Sequence, residues 1–237
     1  MDPRLYALHG FLGHVEDWNM LFRNHKLSDI IEAIALHQDQ YVNLSMKEWA
    51  IRFNEDVQKR GRKNILMGYS MGGRLALQAL VQNPGAWDSA IIISAHPGLD
   101  SEEIIRDRII SDNNWAKRFQ SENWTVLMND WNASPAFCRD TFHFVREEKE
   151  YQRRHLVHAL CEWSLAAQEN MLPAIAQLPM PILWIAGSDD PALSCIKHLI
   201  LKHPSSKIWI APGCGHRVPW QIKDQFLSQI TQFIGSL

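Results

Sequence analysis

The sequence predicts an α/β protein built on a doubly wound, mostly parallel sheet. Short apolar runs bounded by chain-breaking residues recur along its 237 residues, without the polar alternation of strands that face water. Such runs are typical of parallel strands buried on both faces. Helical patterns separate them, and this alternation favours a doubly wound sheet. We expect strands at Leu5–Leu8, Ile65–Met67, Ala90–Ser94, Pro181–Ala186 and Lys207–Ile210.

Two helices are clearly marked between these runs. Ser45 and Glu48 have the spacing of a capping box, which predicts a helix that begins at Met46. A second helix is predicted from about Met71 to Gln82, where Asn83-Pro84-Gly85 ends it. The apolar residues of the first helix follow the spacing of a single buried face, namely Met46, Trp49, Ala50, Phe53 and Val57.

The stretch from 100 to 178 breaks this rhythm. It is too long for one crossover, and its pattern indicates several helices with dense mixed charge and four tryptophans. Connections of this length are usually functional lids or insertions, and an ordinary helical subdomain is the alternative. We therefore predict a core formed by residues 1–99 and 179–237, with a helical lid of residues 100–178 inserted between its two parts.

Composition excludes several classes of protein. The chain has the length of one α/β domain, and 24 Lys and Arg against 26 Asp and Glu give a net charge of −2. This balance gives no reason to expect nucleic acid or an anionic membrane as a partner. The first residues lack the pattern of a signal peptide, and no apolar run reaches membrane-spanning length. We expect a cytoplasmic protein, and reduced thiols at the widely spaced Cys138, Cys161, Cys195 and Cys214.

The strongest chemical signal is a G-x-S-x-G pattern, Gly68-Tyr69-Ser70-Met71-Gly72. It follows a predicted strand and begins a predicted helix, which is the setting of a nucleophile elbow. A sharp strand-to-helix turn projects the serine from the end of the sheet, and glycines leave room for the close packing around it. The pattern therefore predicts Ser70 as the catalytic nucleophile.

An elbow requires a base and an acid that follow it in the order Ser, Asp, His, each just after a strand. Asp189 and Asp190 follow the strand predicted at Pro181–Ala186, and His216 follows the last one. His216 would take the proton from Ser70, and the carboxylate would orient the imidazole. We favour Asp190 over Asp189 for that role.

An oxyanion hole needs two backbone N–H groups. The residue after the nucleophile, Met71, supplies one, and the loop after the first strand, His9-Gly10-Phe11, offers Phe11 as the other. His155 and His158 have H-x-x-H spacing, but no third ligand stands at a matching distance. We expect neither a metal nor an organic cofactor.

Longer motifs resemble one family of the α/β-hydrolase superfamily. They are Leu8-His9-Gly10-Phe11-Leu12-Gly13 with Glu16-Asp17-Trp18, Gly68-Tyr69-Ser70-Met71-Gly72-Gly73-Arg74, His96-Pro97-Gly98-Leu99, Trp115-Ala116-Lys117-Arg118-Phe119, and Asp130-Trp131-Asn132-Ala133-Ser134-Pro135-Ala136-Phe137. Together they are similar to 2-succinyl-6-hydroxy-2,4-cyclohexadiene-1-carboxylate synthase, of menaquinone biosynthesis. The resemblance covers nearly the whole chain and implies an α/β-hydrolase fold with a helical lid and shortened amino-terminal strands.

The resemblance implies a lyase that uses the machinery of a hydrolase. Such an enzyme takes a ring proton from 2-succinyl-5-enolpyruvyl-6-hydroxy-3-cyclohexene-1-carboxylate and releases pyruvate, without an acyl-enzyme. The substrate carries three carboxylates, so the resemblance implies that Arg74 and Arg118 bind them. A surface salt bridge is the alternative for each arginine. Trp131 and Tyr69 match residues of the family's pocket.

Some features depart from the family pattern and keep a second function open. No Asp-x-Pro-Gly-His-Gly loop precedes Ser45, and a further lid arginine of the family is replaced by Cys161. A serine carboxylesterase or thioesterase that acts through an acyl-Ser70 intermediate is therefore the alternative to the lyase. A non-catalytic binding protein on the same fold is a third hypothesis, which the presence of every triad residue argues against. The sequence does not indicate an oligomeric state.

Overall fold

A parallel sheet forms the centre of the molecule. The computed structural model describes residues 3–58, 63–196 and 199–237. Within them, six strands form one sheet in the order β2-β1-β3-β4-β5-β6, and every neighbouring pair is parallel. The strands are Arg4–Leu8 (β1), Ile31–Ile34 (β2), Asn64–Tyr69 (β3), Ser89–Ile93 (β4), Ile182–Gly187 (β5) and Lys207–Ala211 (β6).

Helices connect the strands on both faces of this sheet. Two of them, α3 and α10, lie next to strands that carry predicted site residues. The helices are Val15–Phe22 (α1), Met46–Gln58 (α2), Met71–Gln82 (α3), Glu102–Ser121 (α4), Trp124–Asn132 (α5), Arg153–Cys161 (α6), Leu172–Ile175 (α7), Leu193–Ile196 (α8), Val218–Gln221 (α9) and Lys223–Gly235 (α10).

Each face of the sheet has its own hydrophobic core. On β1, Tyr6 and Leu8 face a core shared with α2 and α3, whereas Leu5 and Ala7 face a core shared with α1 and α10. This alternation follows from the strand geometry, which points successive side chains to opposite faces. Because helices cover both faces, the predicted doubly wound α/β sheet is confirmed.

The five predicted strands all occur, with ends that differ by at most two residues. The strand β2 has no counterpart among the predicted strands. This strand lies at the edge of the sheet, its four residues are only half-buried, and Glu32 interrupts its apolar character. A continuous apolar run is expected only of strands buried on both faces, so an edge strand lacks the pattern.

The two predicted helices are confirmed as α2 and α3. The capping box is formed: the Ser45 N–H donates to Glu48 Oε2 at 2.8 Å, and the Glu48 N–H donates to Ser45 Oγ at 3.3 Å. The apolar face of α2 is buried as its spacing predicts, at Met46, Trp49, Ala50, Phe53 and Val57.

Residues 100–178, which we call the cap, contain helices α4 to α7 and lie between β4 and β5 along the chain. The cap has a small core of its own, formed by Ala116, Phe119, Trp124, Leu127, Leu156 and Leu160. Leu12, from the loop after β1, packs into that core. The loop predicted to hold an oxyanion-hole donor is therefore anchored in the cap.

Within the described ranges, none of the helices has the length and apolar character to cross a bilayer. All four cysteines are free thiols, as the sequence predicts, and only Cys214 is buried. The fold is therefore held together without disulfides, by packing on the two faces of the sheet.

Candidate active site

Ser70 lies in the sharp turn between β3 and α3. It adopts φ 54° and ψ −115°, which is a strained conformation for a residue with a side chain. Two glycines allow the turn to pack closely. A Cβ on Gly72 would lie 2.6 Å from the carbonyl oxygen of Leu8, and one on Gly73 would lie 2.6 Å from the Cβ of Ala95. The G-x-S-x-G pattern thus has the local geometry of a nucleophile elbow.

The three side chains predicted as a triad lie together at the carboxyl ends of the strands. Ser70 Oγ is 2.8 Å from His216 Nε2. His216 Nδ1 is 3.1 Å from each carboxylate oxygen of Asp190. Because the carboxylate accepts from Nδ1, Nε2 is left free to accept the proton of Ser70. The geometry is that of a serine activated by a histidine base.

The structure distinguishes the two neighbouring aspartates. Asp190 is buried beside His216, whereas Asp189 is exposed and its carboxylate accepts a hydrogen bond from Ser188. Burial alone would raise the pKa of the Asp190 carboxyl. The facing His216 and an N–H bond from Ala192 lower that pKa by more, so it lies below its ordinary value. Asp190 is therefore ionised and placed to orient the imidazole.

The loop after β1 passes directly against the nucleophile. A Cβ on Gly10 would lie 2.9 Å from the ring of Tyr69 and 3.3 Å from the Cβ of Ser70. Met71 is the first residue of α3, where N–H groups have no partner within the helix. No acceptor for the N–H of Phe11 or Met71 is found among the described residues. Both amides are thus available at the position that the sequence predicts for an oxyanion hole.

His9 holds this loop from beneath. The N–H of Leu36 donates to His9 Nε2 at 3.0 Å, so the ring proton is on Nδ1, which donates to the Gly10 carbonyl at 2.8 Å. Burial lowers the pKa of His9 to about 4. The imidazole is therefore neutral at physiological pH, and its tautomer is fixed by two hydrogen bonds.

A cavity of about 450 Å³ opens above Ser70, a size typical of small-molecule sites. Its walls come from the loop after β1, the elbow, the loops after β5 and β6, and the cap. Among the predicted binding residues, Tyr69, Arg74 and Trp131 line it. Trp131 packs on Phe11, with ring centroids 4.9 Å apart. Burial raises the pKa of Tyr69, so its hydroxyl stays protonated.

Arg74 is the most unusual charge in the cavity. Its side chain is buried, and Nη1 has no hydrogen-bond partner among the described residues. No carboxylate among the described residues forms an ion pair with the Arg74 guanidinium. Burial, together with the neighbouring charge of Arg108, lowers its pKa to about 9. A buried, unpaired guanidinium is costly, and an anionic ligand would compensate for that cost.

Three further arginines line the cavity, each with a carboxylate partner. Arg108 Nε lies 2.8 Å from Asp112, which also accepts from Ser164 Oγ. Arg146 pairs with Asp17 through two bonds, of 2.9 and 2.6 Å. Arg217, directly after His216, lies 3.3 Å from a carboxylate oxygen of Asp140. The cavity is therefore more basic than the net charge of the chain suggests.

Arg118 is not among the residues that line the cavity. Its guanidinium pairs with Glu122 at 2.6 and 2.9 Å and with Asp130 at 2.5 Å, and it stacks on Trp115. The structure thus gives Arg118 the salt-bridge environment that was its alternative, and it does not bring Arg118 together with Ser70 and Arg74.

Sequence reasoning missed Arg108, although the helical period could have found it. On α4, Asp112, Ala116 and Phe119 are buried. Counting back four residues from Asp112 places Arg108 on the same face, whereas Arg118 lies off that face. Arg217 gave no comparable signal, because its partner Asp140 is 77 residues away in the chain.

The two histidines with H-x-x-H spacing serve other contacts. His155 Nε2 lies 2.5 Å from Asp39, and His158 Nδ1 accepts from the N–H of Asn43 at 3.3 Å. No group of three or more His, Cys, Asp or Glu side chains suited to a metal ion is found in the described ranges.

Comparison with known proteins gives a consistent result. The model of the "Alpha/beta hydrolase family" matches residues 6–226. A 2-succinyl-6-hydroxy-2,4-cyclohexadiene-1-carboxylate synthase of Salmonella heidelberg (strain SL476) is 33% identical over 204 residues, which cover 79% of this chain and 78% of that protein. The protein of the same name from Escherichia fergusonii is 31% identical over 194 residues, or 76% and 70% of the two chains.

Solved structures agree on the fold. The structure of MenH from S. aureus has a TM-score of 0.85 and 24% identity, covering 99% of this chain and 94% of that one. A thermophilic esterase from Thermogutta terrifontis, in a malate-bound structure, has a TM-score of 0.71 and 16% identity, covering 99% and 89%. At these identities the structural likeness supports the fold alone. The assignment to a family rests on the sequence comparisons.

Proposed function

Since this chain belongs to the α/β-hydrolase family, and within it to the 2-succinyl-6-hydroxy-2,4-cyclohexadiene-1-carboxylate synthases, we propose that it catalyses the reaction that gives those enzymes their name. Its substrate would be 2-succinyl-5-enolpyruvyl-6-hydroxy-3-cyclohexene-1-carboxylate, and pyruvate would leave. The proposal places the enzyme in menaquinone biosynthesis, in the cytoplasm, with no cofactor.

The candidate triad supplies the base for this elimination. His216 accepts the Ser70 proton across 2.8 Å, and Ser70 in turn accepts a proton from the substrate ring. The electrons of that C–H bond, at C2 of the ring, form a C2=C3 double bond, the existing C3=C4 double bond moves to C4=C5, and the C–O bond that joins C5 to the enolpyruvyl group breaks. The proton then passes to the departing enolpyruvate, which becomes pyruvate. No acyl group is transferred, and no water is consumed.

The oxyanion-hole amides have a role in this scheme. Removal of the ring proton moves negative charge onto the carbonyl oxygen of the succinyl group. The N–H groups of Phe11 and Met71, which have no acceptor among the described residues, are available to that oxygen. Donors that are already oriented stabilise such developing charge most effectively.

The observation that carries the proposal is the buried guanidinium of Arg74. A simple ester hydrolase has no need of an unpaired cation next to its nucleophile, whereas a substrate with three carboxylates does. Arg74 lies on α3, one turn after Ser70, and its Nη1 is unpartnered. Arg108 repels Arg74, and a carboxylate between the two would relieve that repulsion.

Pyruvate release tests the proposed function directly. Purified protein is mixed with the enolpyruvyl substrate, and pyruvate is followed by its reduction to lactate with NADH and lactate dehydrogenase. We expect turnover that depends on Ser70, so that Ser70→Ala lowers kcat by at least about a thousandfold. Wild-type turnover equal to that of Ser70→Ala would rule out the lyase.

A serine carboxylesterase or thioesterase is the second candidate. The specific observation in its favour is the Ser70–His216 hydrogen bond of 2.8 Å, which equally suits Ser70 for attack on an acyl carbon. Such an enzyme would release p-nitrophenol from a p-nitrophenyl ester in a burst and carry an acyl group on Ser70, detectable by mass spectrometry. Under the lyase proposal, we expect pyruvate release and no acyl-Ser70.

A further inference from the structure

We propose that Tyr151, on the cap, is a positioning residue for the oxyanion hole, and that its hydroxyl orients the Phe11 amide through two peptide units. The role of Phe11 rests on the proposed function of the site. Among the described residues, Tyr151 has no hydrogen bond or ring contact with Ser70 or His216, so its effect would be exerted through the loop after β1.

The first contact joins the cap to that loop. The Tyr151 O–H donates to the carbonyl oxygen of Leu12 at 2.8 Å, across 139 residues of chain. Its ring is held between His14 and Trp124, with centroids 4.7 and 5.3 Å away. Burial raises the pKa of Tyr151, so the hydroxyl remains a donor throughout the physiological range.

The second contact lies within the loop. The carbonyl of Leu12 and the N–H of Gly13 belong to one peptide unit, which is rigid and planar. That N–H donates to the carbonyl oxygen of Gly10 at 3.0 Å. Fixing the Leu12 carbonyl therefore also fixes the direction of the Gly13 N–H and, with it, the hydrogen bond to Gly10.

The third step reaches the oxyanion hole. The carbonyl of Gly10 shares a peptide unit with the N–H of Phe11, and in a trans peptide the two groups point in opposite directions. Gly13 and His9 both hold the Gly10 carbonyl, so the Phe11 N–H is directed away from them. Each hydrogen bond in the series also polarises the next, which makes the last N–H a better donor.

The backbone of the loop makes this support necessary. Leu12 has φ 58°, a left-handed conformation that residues with a Cβ adopt only under constraint. Its side chain is held in the cap core, and its carbonyl is held by Tyr151. Without the hydroxyl, the strained peptide unit between Leu12 and Gly13 is free to rotate, and His9 alone then holds the Gly10 carbonyl that orients the Phe11 amide.

Neighbouring contacts keep Tyr151 in place. Arg146, five residues earlier, forms the double hydrogen bond to Asp17 on α1, and its carbonyl accepts from Trp124 Nε1 at 2.7 Å. The segment that leads from Arg146 to Tyr151 is therefore attached both to α1, through Asp17, and to the cap, through Trp124.

Tyr151→Phe is the test, because it removes one oxygen and keeps the ring. Tyr41→Phe is the matched control, since Tyr41 is also partly buried but packs against the core near α2, away from the cavity. We expect Tyr151→Phe to lower kcat for pyruvate release about tenfold, with KM within twofold of wild type. If the hydroxyl only stabilised the fold, the variant would have less folded protein and a lower melting temperature, and the folded fraction would keep the wild-type kcat.

A second measurement does not depend on the lyase reaction. Ser70 is labelled with a p-nitrophenyl phosphonate, whose phosphoryl oxygen must enter the same oxyanion hole, and the labelling rate is followed by mass spectrometry. NMR spectra of protein that contains ¹⁵N-phenylalanine report the Phe11 amide directly. This readout does not depend on any reaction rate. We expect slower labelling and a displaced Phe11 resonance in Tyr151→Phe alone.

The outcomes separate the two proposals. Slower labelling in Tyr151→Phe supports the positioning role, even if the wild-type protein releases no pyruvate, in which case only the proposed function fails. Labelling and turnover at the rates of Tyr41→Phe, or a Phe11 resonance that does not move, would overturn the positioning role and leave the lyase proposal intact.

Discussion

Replacing Arg74 with methionine should stabilise the protein and impair its activity. Burial and the charge of Arg108 lower the pKa of Arg74 from its ordinary value to about 9, a change that corresponds to roughly 5 kcal/mol against the charged form. Methionine fills similar space without charge and adapts to irregular cavities. Replacing the buried charge recovers only part of the cost of burying it. We therefore expect an increase of about 1–3 kcal/mol in the free energy of unfolding.

The same substitution removes the cation available to a substrate carboxylate. A hydrogen bond that involves a charged group contributes about 1.5–3 kcal/mol. Losing one should therefore lower kcat/KM for pyruvate release by roughly 10- to 150-fold. Most of the loss should be an increase in KM, since Arg74 binds a group that does not react.

The assay measures both quantities on the same protein. Thermal unfolding should show a melting temperature about 2–10 °C higher for Arg74→Met, and the pyruvate assay gives kcat and KM. Arg106→Met is the matched control, because Arg106 is two-thirds exposed and only weakly paired with Glu102. We expect no effect on either quantity there. A lower melting temperature or an unchanged kcat/KM in Arg74→Met would refute the reasoning.

Three further predictions follow from the same geometry. Asp190→Asn should lower kcat by about 10³–10⁴-fold and Asp189→Asn by less than twofold in the pyruvate assay, and equal losses would contradict the assignment. Arg108→Ala should raise KM about tenfold or more, whereas Arg118→Ala should leave KM unchanged, and the reverse order would return Arg118 to the binding site. Burial lowers the pKa of His9 to about 4 in the folded protein, against 6.5 unfolded, so its contribution to stability is complete above pH 6.5 and is lost as pH falls towards 4. Urea unfolding at pH 7, 5.5 and 4.5 should show a loss of about 2 kcal/mol between the first and last pH that is missing in His9→Gln, and parallel pH profiles for the two proteins would contradict it.

The candidate triad was predictable because the position of each of its residues depends on the strand that directly precedes it in the sequence. A parallel sheet brings the carboxyl ends of its strands to one edge, so residues just after β3, β5 and β6 must meet there. Ser70, Asp190 and His216 each follow one of these strands. Asp189 and Asp190 are neighbours in the loop after β5, so their spacing from the strand does not tell which of them faces His216. The burial of Asp190 distinguishes the two.

The binding wall was less predictable because its contacts are long-range. No sequence pattern marks Arg146 as a cavity residue, since its partner Asp17 is 129 residues away on α1. Arg118 was chosen from a motif, and only the helical face of α4 separates it from Arg108. The edge strand β2 was missed for a related reason, because a half-exposed strand has no apolar run to reveal it.

The pairing of the four cavity arginines indicates how the site divides its work. Arg146 and Arg217 already bind the carboxylates of Asp17 and Asp140, so a substrate carboxylate at either position must compete with an internal partner. These pairs join the cap to the core, and their first effect is to hold the cavity wall in place. Arg74 has no such partner among the described residues, so a carboxylate that reaches it gains a charge-assisted bond without breaking one. A net charge of −2 for the whole chain is thus compatible with the anionic substrate that we propose, because that substrate would bind the one cavity arginine left unpaired in the part of the chain that the structure describes.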